Sequence, residues 1–380
     1  MKNNKKICSR CILDSTVPNI KFDEDGICNF CKLHDKLERK YPLGAEGQQK
    51  IKQFVEEIKS KGKNKKYDCV IGISGGTDST YCLYLAKKWG LRPLAVHLDN
   101  GWNSETAVNN IKNATEKLGV DLKTIKVDKD EFRDLQIAFL KASVSDAEIP
   151  TDIGVYATLY KVAAEEGIPF IINGHSFRTE GTAPIDWTYM DGKYIENVYD
   201  KFGKGKLKNF TNLKIPNLLY YLFIKGIKEF RPLEYIEYNK VKAGKILEKE
   251  LGWQYYGGHH YESIYTRFIA SYVLPKKFNI DKRKVSLSAR VRSKQLTRDE
   301  ALKKLEEDPY PEDKIEEDKN YITKKLGLTK EEFDQMLSQK PKSFRDYKTY
   351  YSYIRMLRLP IKIACKLKLL PEIFYEKYAT

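Results

Sequence analysis

The stretch Ser74-Gly75-Gly76-Thr77-Asp78-Ser79-Thr80 constrains this chain more than any other. An apolar run, Cys69-Val70-Ile71-Gly72-Ile73, precedes it, and an amphipathic run, Tyr81-Cys82-Leu83-Tyr84-Leu85-Ala86, follows it. That context reads as strand, tight turn, helix. Two adjacent glycines open backbone conformations closed to other residues and admit a ligand close to the main chain. The turn leads onto a helix N-terminus, where unpaired amides and the helix dipole favour an anion. With the hydroxyls of Ser74, Thr77, Ser79 and Thr80 this makes a cradle for a polyphosphate. The Lys-Ser/Thr pair of the common P-loop is absent. Asp78 stands at the helix entry instead, and a carboxylate facing phosphates makes sense when Mg2+ lies between them.

Strand and helix patterns alternate beyond this turn. Leu94–Leu98, Leu122–Val127 and 169–174 read as strands, and Glu105–Leu118, Phe132–Ala142 and Ile153–Glu166 as helices. Such alternation predicts an α/β fold with a doubly wound parallel sheet. Ligands of these sheets bind at the carboxyl ends of the strands. Those ends carry the 74–80 turn, Asp99-Asn100-Gly101-Trp102, and His175-Ser176-Phe177-Arg178-Thr179-Glu180. Asp99 is read as a nucleotide contact or as a turn residue, with Trp102 as a possible wall. His175 and Arg178 are read as stabilising charge on an α-phosphate, the alternative for Arg178 being a surface pair with Glu180.

At the amino terminus, Cys8-x-x-Cys11 and Cys28-x-x-Cys31 enclose sixteen residues. Two matched pairs at this spacing predict a four-thiolate Zn2+ site, closed and therefore structural. An iron–sulfur cluster is the alternative. Residues 33–58 read as one helix, and the lysine-rich stretch 59–66 as a linker. From Phe230 onward the pattern reads as helical, with helices at Lys240–Leu251 and Glu262–Val273 and a cap at Thr297. The stretch 253–262 combines aromatics, Gly257-Gly258, His259, His260 and Glu262, with Arg267 beyond it. It is read as a sugar or base pocket formed by Tyr256, Gly257, His259, His260, Glu262 and Arg267, or as an aromatic core corner. The units expected are a zinc-ribbon-like module at 1–34, a helix and linker at 35–66, the nucleotide domain at 67–230 and a helical substrate or partner region at 231–380.

The 380 residues carry a formal charge of +16, which favours anionic partners. Lysines are interspersed with glutamates, without the clustered arginine stripe of a dedicated nucleic-acid binder. No apolar run is long enough for a membrane span. The longest, residues 215–227, reads as a buried or partner-facing helix. The start MKNNKKICSRC has no signal-peptide core, so a cytoplasmic enzyme is expected.

The SGGTDS string resembles the signature of the N-type ATP pyrophosphatases, the PP-loop superfamily. With the cysteine module, HLDNGWNSE at 97–105, LYKVAAEEGIPFIINGHSFRTEG at 159–181, YYGGHHYESIYTRF at 255–268 and LPKKFNIDKRK at 274–284, the chain resembles the N-acetyl sugar amidotransferases of surface-polysaccharide and nonulosonic-acid synthesis. The resemblance implies ATP as cosubstrate, an N-acetyl sugar converted to its acetamidino form through an adenylated intermediate, and AMP and pyrophosphate as products. It implies Asp78, His175 and Arg178 as catalytic, with 74–80 and Asp99 at the nucleotide. Ammonia would come from a separate glutaminase docked on the 210–235 segment, since no cysteine here sits in a nucleophile-elbow context. The rival is a tRNA-modifying PP-loop thiolase. Against it, Cys69 and Cys82 form no CxxC, and the carboxy-terminal cysteine cluster of zinc-bearing thiolases is missing.

Overall fold

The computed structural model describes residues 5–258, 261–367 and 375. Its frame is one sheet of five parallel strands: β1 (Cys69–Gly72), β2 (Pro93–Asp99), β3 (Leu122–Lys126), β4 (Phe170–Ile172) and β5 (Lys228–Phe230). Their order is β3-β2-β1-β4-β5. The chain winds outward from β1 through β2 to β3, then returns to the far side of β1. The winding therefore reverses between β1 and β4, and a crevice opens there at the strand ends. The central strands are buried on both faces, as parallel sheets are. Edge strand β3 alternates between part-buried and exposed residues.

The helices are α1 (Asn29–Lys40), α2 (Gly44–Gly62), α3 (Thr77–Lys88), α4 (Glu105–Leu118), α5 (Lys129–Ala142), α6 (Ile149–Glu165), α7 (Gly192–Phe202), α8 (Ile215–Leu219) and α9 (Lys240–Leu251). One face of the sheet packs on Ile58, Cys82, Leu83, Ile111 and Leu247, from α2, α3, α4 and α9. The other packs on Leu159, Tyr160 and Val162 of α6. Local chemistry fixes the ends. Ser104 Oγ caps α4 by accepting from the Ala107 amide at 3.2 Å, and Gly119 closes that helix at φ +57°.

Past α9 the chain is helical: α10 (Ile264–Phe268), α11 (Leu274–Phe278), α12 (Arg283–Arg292), α13 (Arg298–Glu306), α14 (Glu312–Leu326), α15 (Lys330–Ser338), α16 (Tyr351–Met356) and α17 (Arg358–Lys366). Thr297 and Glu300 form a capping box on α13. This half has a core of its own, with Phe268, Phe333 and Phe344 fully buried beside Phe139 and Tyr194 from α5 and α7.

Four expectations are corrected. The helix read over 33–58 is two helices, α1 and α2, broken where Pro42 removes an amide donor. The lysine-rich stretch is partly helical, since α2 runs to Gly62. The helix read over 262–273 opens into a π-turn at Ile269–Val273 ahead of Pro275. Residues 215–227 are not one buried helix: α8 passes into a π-turn at Tyr220–Ile224, and neither has a fully buried residue. Strand β5 was not foreseen, because three residues with two charges carry no strand signal apart from their pairing with β4.

Candidate active site and cysteine cluster

The 74–80 turn joins β1 to α3, with Gly75 at φ +80°. Asn110 Nδ2 and Trp253 Nε1 both donate to the Gly75 carbonyl, at 3.2 and 2.9 Å. The Asn110 side chain also exchanges two 2.8 Å bonds with the backbone of Gln254. One buried amide on α4 thus ties the turn to the aromatic segment after α9. Ser79 Oγ lies 3.2 Å from Ser74 Oγ and accepts from the Ser74 amide at the same distance, which keeps the turn tight. Gly76, the N-cap of α3, has no side chain to satisfy the first-turn amides. The Asp78 and Ser79 amides of that turn remain available to an anion.

Asp78 is part-buried, and each of its carboxylate oxygens has a partner. Lys240 Nζ, at the start of α9, lies 2.6 Å from Oδ2, and the Tyr238 hydroxyl donates to Oδ1. Lys240 is also 4.0 Å from Glu180, whose carboxylate accepts from His175 Nδ1. Burial raises the Asp78 carboxyl above the ordinary aspartate range, Lys240 opposes this, and Glu180 adds to it. Burial disfavours the Lys240 ammonium, but Asp78 and Glu180 hold it charged. The loop after β4 lies directly on the turn: a side chain at Gly174 would come within 3.0 Å of the Asp78 backbone. The mouth of the turn is lined by Tyr256, whose hydroxyl accepts from the Thr77 amide at 3.4 Å, and by Glu262, near Gly76.

The other expected site residues are placed as follows. Arg178 does not reach the turn and does not pair with Glu180. It is buried toward α1, with Nη1 2.5 Å from Glu38 and Nη2 donating to the Tyr41 carbonyl at 2.7 Å. Arg267 forms a bidentate pair with Asp318 of α14, at 2.6 and 2.5 Å. Asp99 Oδ1 accepts from the Gly101 amide at 2.9 Å, the geometry of a turn residue. Trp102 is a core side chain rather than an open wall, with Nε1 donating to Gln136 at 2.9 Å. Gly257 adopts φ +99°. His259 and His260 lie outside the described residues. Sequence reasoning missed Lys240, Tyr238 and Asn110, and placed Glu180 at the strand end only as a possible partner of Arg178. A buried Asn on the inner face of α4 was the one readable signal among them.

The four amino-terminal cysteines converge, buried, with all four sulfurs within 4.8 Å of one another. The Cys8–Cys31 and Cys11–Cys28 separations are 3.8 Å, and Cys28–Cys31 is 3.6 Å. A Zn–S bond of about 2.3 Å in a regular tetrahedron requires sulfurs roughly 3.8 Å apart. Hydrogen bonds from Cys11 and the other thiols hold Cys8 low, those from Cys28 and Cys31 bring Cys11 to about 6, and Cys28 and Cys31 are pushed up. A divalent cation bound among the four sulfurs would displace the thiol protons. The donor set fits structural zinc, with no position left for catalysis.

With this geometry in view, comparison with known families is informative. Residues 262–359 match the family of LPS biosynthesis protein WbpG-like C-terminal domains, and residues 68–153 match the family of queuosine biosynthesis protein QueC. The chain thus carries a QueC-like segment over its phosphate turn and a WbpG-like segment in its helical half. A curated relative, uncharacterized protein MJ1599 of Methanocaldococcus jannaschii, is 33% identical over 172 residues. The match covers 44% of this chain and 58% of that relative. Two solved structures were also matched. The NH3-dependent NAD synthetase of Campylobacter jejuni has 16% identity and a TM-score of 0.28, covering 53% of this chain and 83% of that one. The NMN synthetase of Francisella tularensis has 16% identity and a TM-score of 0.29, covering 57% and 88%. At those scores the overlaps say nothing of function. The two family matches meet in space: Glu262 opens the WbpG-like segment and lies at the mouth of the 74–80 turn.

Proposed function

We propose that this chain is an ATP-dependent amidotransferase that converts an N-acetyl group of a bacterial surface-polysaccharide sugar into an acetamidino group. The observation that carries the proposal is that meeting of the phosphate turn with Tyr256 and Glu262 in one cleft. ATP phosphates and a sugar would share that cleft.

An amide carbonyl is a weak electrophile. In the proposed reaction its oxygen attacks the α-phosphorus of ATP, and pyrophosphate leaves toward the 74–80 turn. Ammonia then adds to the carbon, a proton is lost, and AMP departs with the former carbonyl oxygen. No covalent nucleophile of the protein is required. The chain positions the reactants and neutralises charge. The Asp78 and Ser79 amides and the Ser74 and Ser79 hydroxyls would hold pyrophosphate. Lys240 supplies a fixed positive charge beside it, and His175, oriented by Glu180, faces the same crevice. Asp78, the carboxylate at the turn, would hold Mg2+, and Lys240, 2.6 Å from Oδ2, would share it with the ion. Mg2+ there would neutralise phosphate charge. The ammonia donor is assigned to a separate glutaminase.

The test is AMP and pyrophosphate release from ATP with ammonium, compared across a UDP-diacetamido sugar, an N-acetylated nonulosonic acid and bulk tRNA, with mass spectrometry of the products. Sugar-dependent AMP with one oxygen replaced by NH supports the proposal. AMP release only with tRNA transfers the chain to the rival reading, and no AMP with ammonium and either sugar overturns the amidotransferase reading.

A further inference from the structure

Helices α8 and α17 and the turns beside them carry apolar side chains that the fold leaves in solvent. Ile224 is 74% exposed, Met356 74%, Leu359 71% and Leu367 65%, with Phe223 and Ile363 more than half exposed. The two helices form one surface, because Ile215 of α8 packs with Ile354, Ile361 and Cys365 of α16 and α17. Singly exposed apolar residues are ordinary, but a contiguous group marks a surface that is covered in use.

The two stretches of sequence that form this face carry charge of one sign. Residues 201–228 contain seven lysines and residues 347–367 five cations, with no Asp or Glu in either stretch. Some are neutralised by neighbours: Lys214 pairs with Glu196 at 3.0 Å and Lys228 with Glu57 at 2.7 Å. Others are not. Among the described residues Lys225, Arg355, Arg358, Lys362 and Lys366 have no carboxylate partner. Four of them contact tyrosines instead: Lys225 over Tyr220, Arg355 on the Tyr351 hydroxyl, and Arg358 and Lys362 against Tyr375.

We propose that this face docks the enzyme on an anionic membrane surface. Basic side chains, tyrosines at their level and projecting aliphatic ends are the composition of a helix lying in a lipid interface. Unpaired cations meet the negative leaflet while their stems lie along the apolar layer. A second copy of the chain fits poorly, since it would bring two positive faces together. Protein interfaces are depleted in lysine, which this face is not. No helix among the described residues is long and apolar enough to cross a membrane, so the contact is with the surface.

The test uses the full chain and flotation with vesicles of phosphatidylcholine alone or mixed with phosphatidylglycerol. Binding to the mixed vesicles alone, weakened by salt, is expected. The combined variant Ile224→Asp/Met356→Asp/Leu359→Asp should lose it while keeping AMP-forming activity, because none of the three lies near the phosphate turn. Replacing Arg355, Arg358, Lys362 and Lys366 by Gln leaves the apolar face intact and should lower the partition coefficient by about fivefold per charge. Equal binding to both vesicle types, or to neither, overturns the proposal. So does a concentration-dependent dimer in sedimentation velocity that the Asp variant abolishes, or an acidic protein that holds this face while the chain ignores vesicles.

Discussion

Replacing Gly75 by alanine tests the central geometry of the site, because a single methyl group meets two obstacles. The residue holds φ +80°, and a Cβ built on it would lie 2.3 Å from the Ala107 carbonyl oxygen and 2.9 Å from its carbon. Left-handed backbone costs an L-residue roughly 1–2 kcal/mol. Ordinary van der Waals contact begins near 3.4 Å, so the turn and the first turn of α4 must separate by about 1 Å. That movement pulls the Gly75 carbonyl away from Trp253 and Asn110, and each weakened bond costs about 1 kcal/mol. The expected loss is roughly 3–4 kcal/mol, a fall in Tm of several degrees for a chain of this size. Turnover should suffer as well, since a 1 Å misplacement of a positioning element costs about 10²-fold. The assay is AMP formation at saturating ATP with a melting curve on the same preparation. A Gly75→Ala protein with unchanged Tm and unchanged kcat would refute the reading of this turn as a rigid cradle.

The remaining predictions concern charge, metal and placement. Asp78→Ala should abolish pyrophosphate release while circular dichroism stays native; normal turnover would remove the residue from the site. Lys240→Met should lower kcat by about 10²–10³, as loss of one charge-stabilising donor does. It should also move the acidic limb of the rate profile to higher pH, because Lys240 opposes the burial that raises the Asp78 carboxyl. Burial raises Glu234 to about 7 from an ordinary 4.5, so between those values the folded chain holds a proton the unfolded chain has lost. Stability should fall as pH rises through that window, by up to about 3 kcal/mol, and Glu234→Gln should abolish the decline in melts at pH 5 and 8. Arg178→Ala should lower Tm while the KM for ATP stays constant, since Arg178 grips α1. A strong zinc chelator should lower Tm in proportion to zinc released, measured by a colorimetric dye.

The part of this chain legible in sequence is the part set by local chemistry. The phosphate turn needs its glycines and hydroxyls in consecutive positions, and the cysteine pairs need short spacing, so both are written along the chain. Strands β1, β2 and β4 show themselves as apolar runs because parallel strands are buried on both faces. What escaped depends on contacts between distant segments. Lys240 meets Asp78 across 162 positions of sequence and looks like any other lysine opening a helix. Arg178 follows a strand end, as a catalytic arginine would. Only the tertiary position of α1, with Glu38 beside the guanidinium, shows where it turns. Strand β5 exists because β4 offers an edge, not because its residues prefer extension.

The cysteine cluster has a temporal side. Its outer wall comes from the far end of the chain: Arg298 donates to the carbonyls of Cys8 and Cys11, Ser288 accepts from the Ile12 amide, and Lys284 pairs with Asp14 at 2.7 Å. Arg298 lies 290 residues after Cys8. At about 5–20 residues per second, a ribosome needs roughly 15–60 seconds to bring them together. During that interval the four thiols stand on the nascent chain with part of their enclosure unmade. Metal taken up early would keep them from oxidation and from wrong partners until α12 and α13 arrive. The docking of those helices then becomes a late checkpoint, at which a segment made later closes over one made earlier.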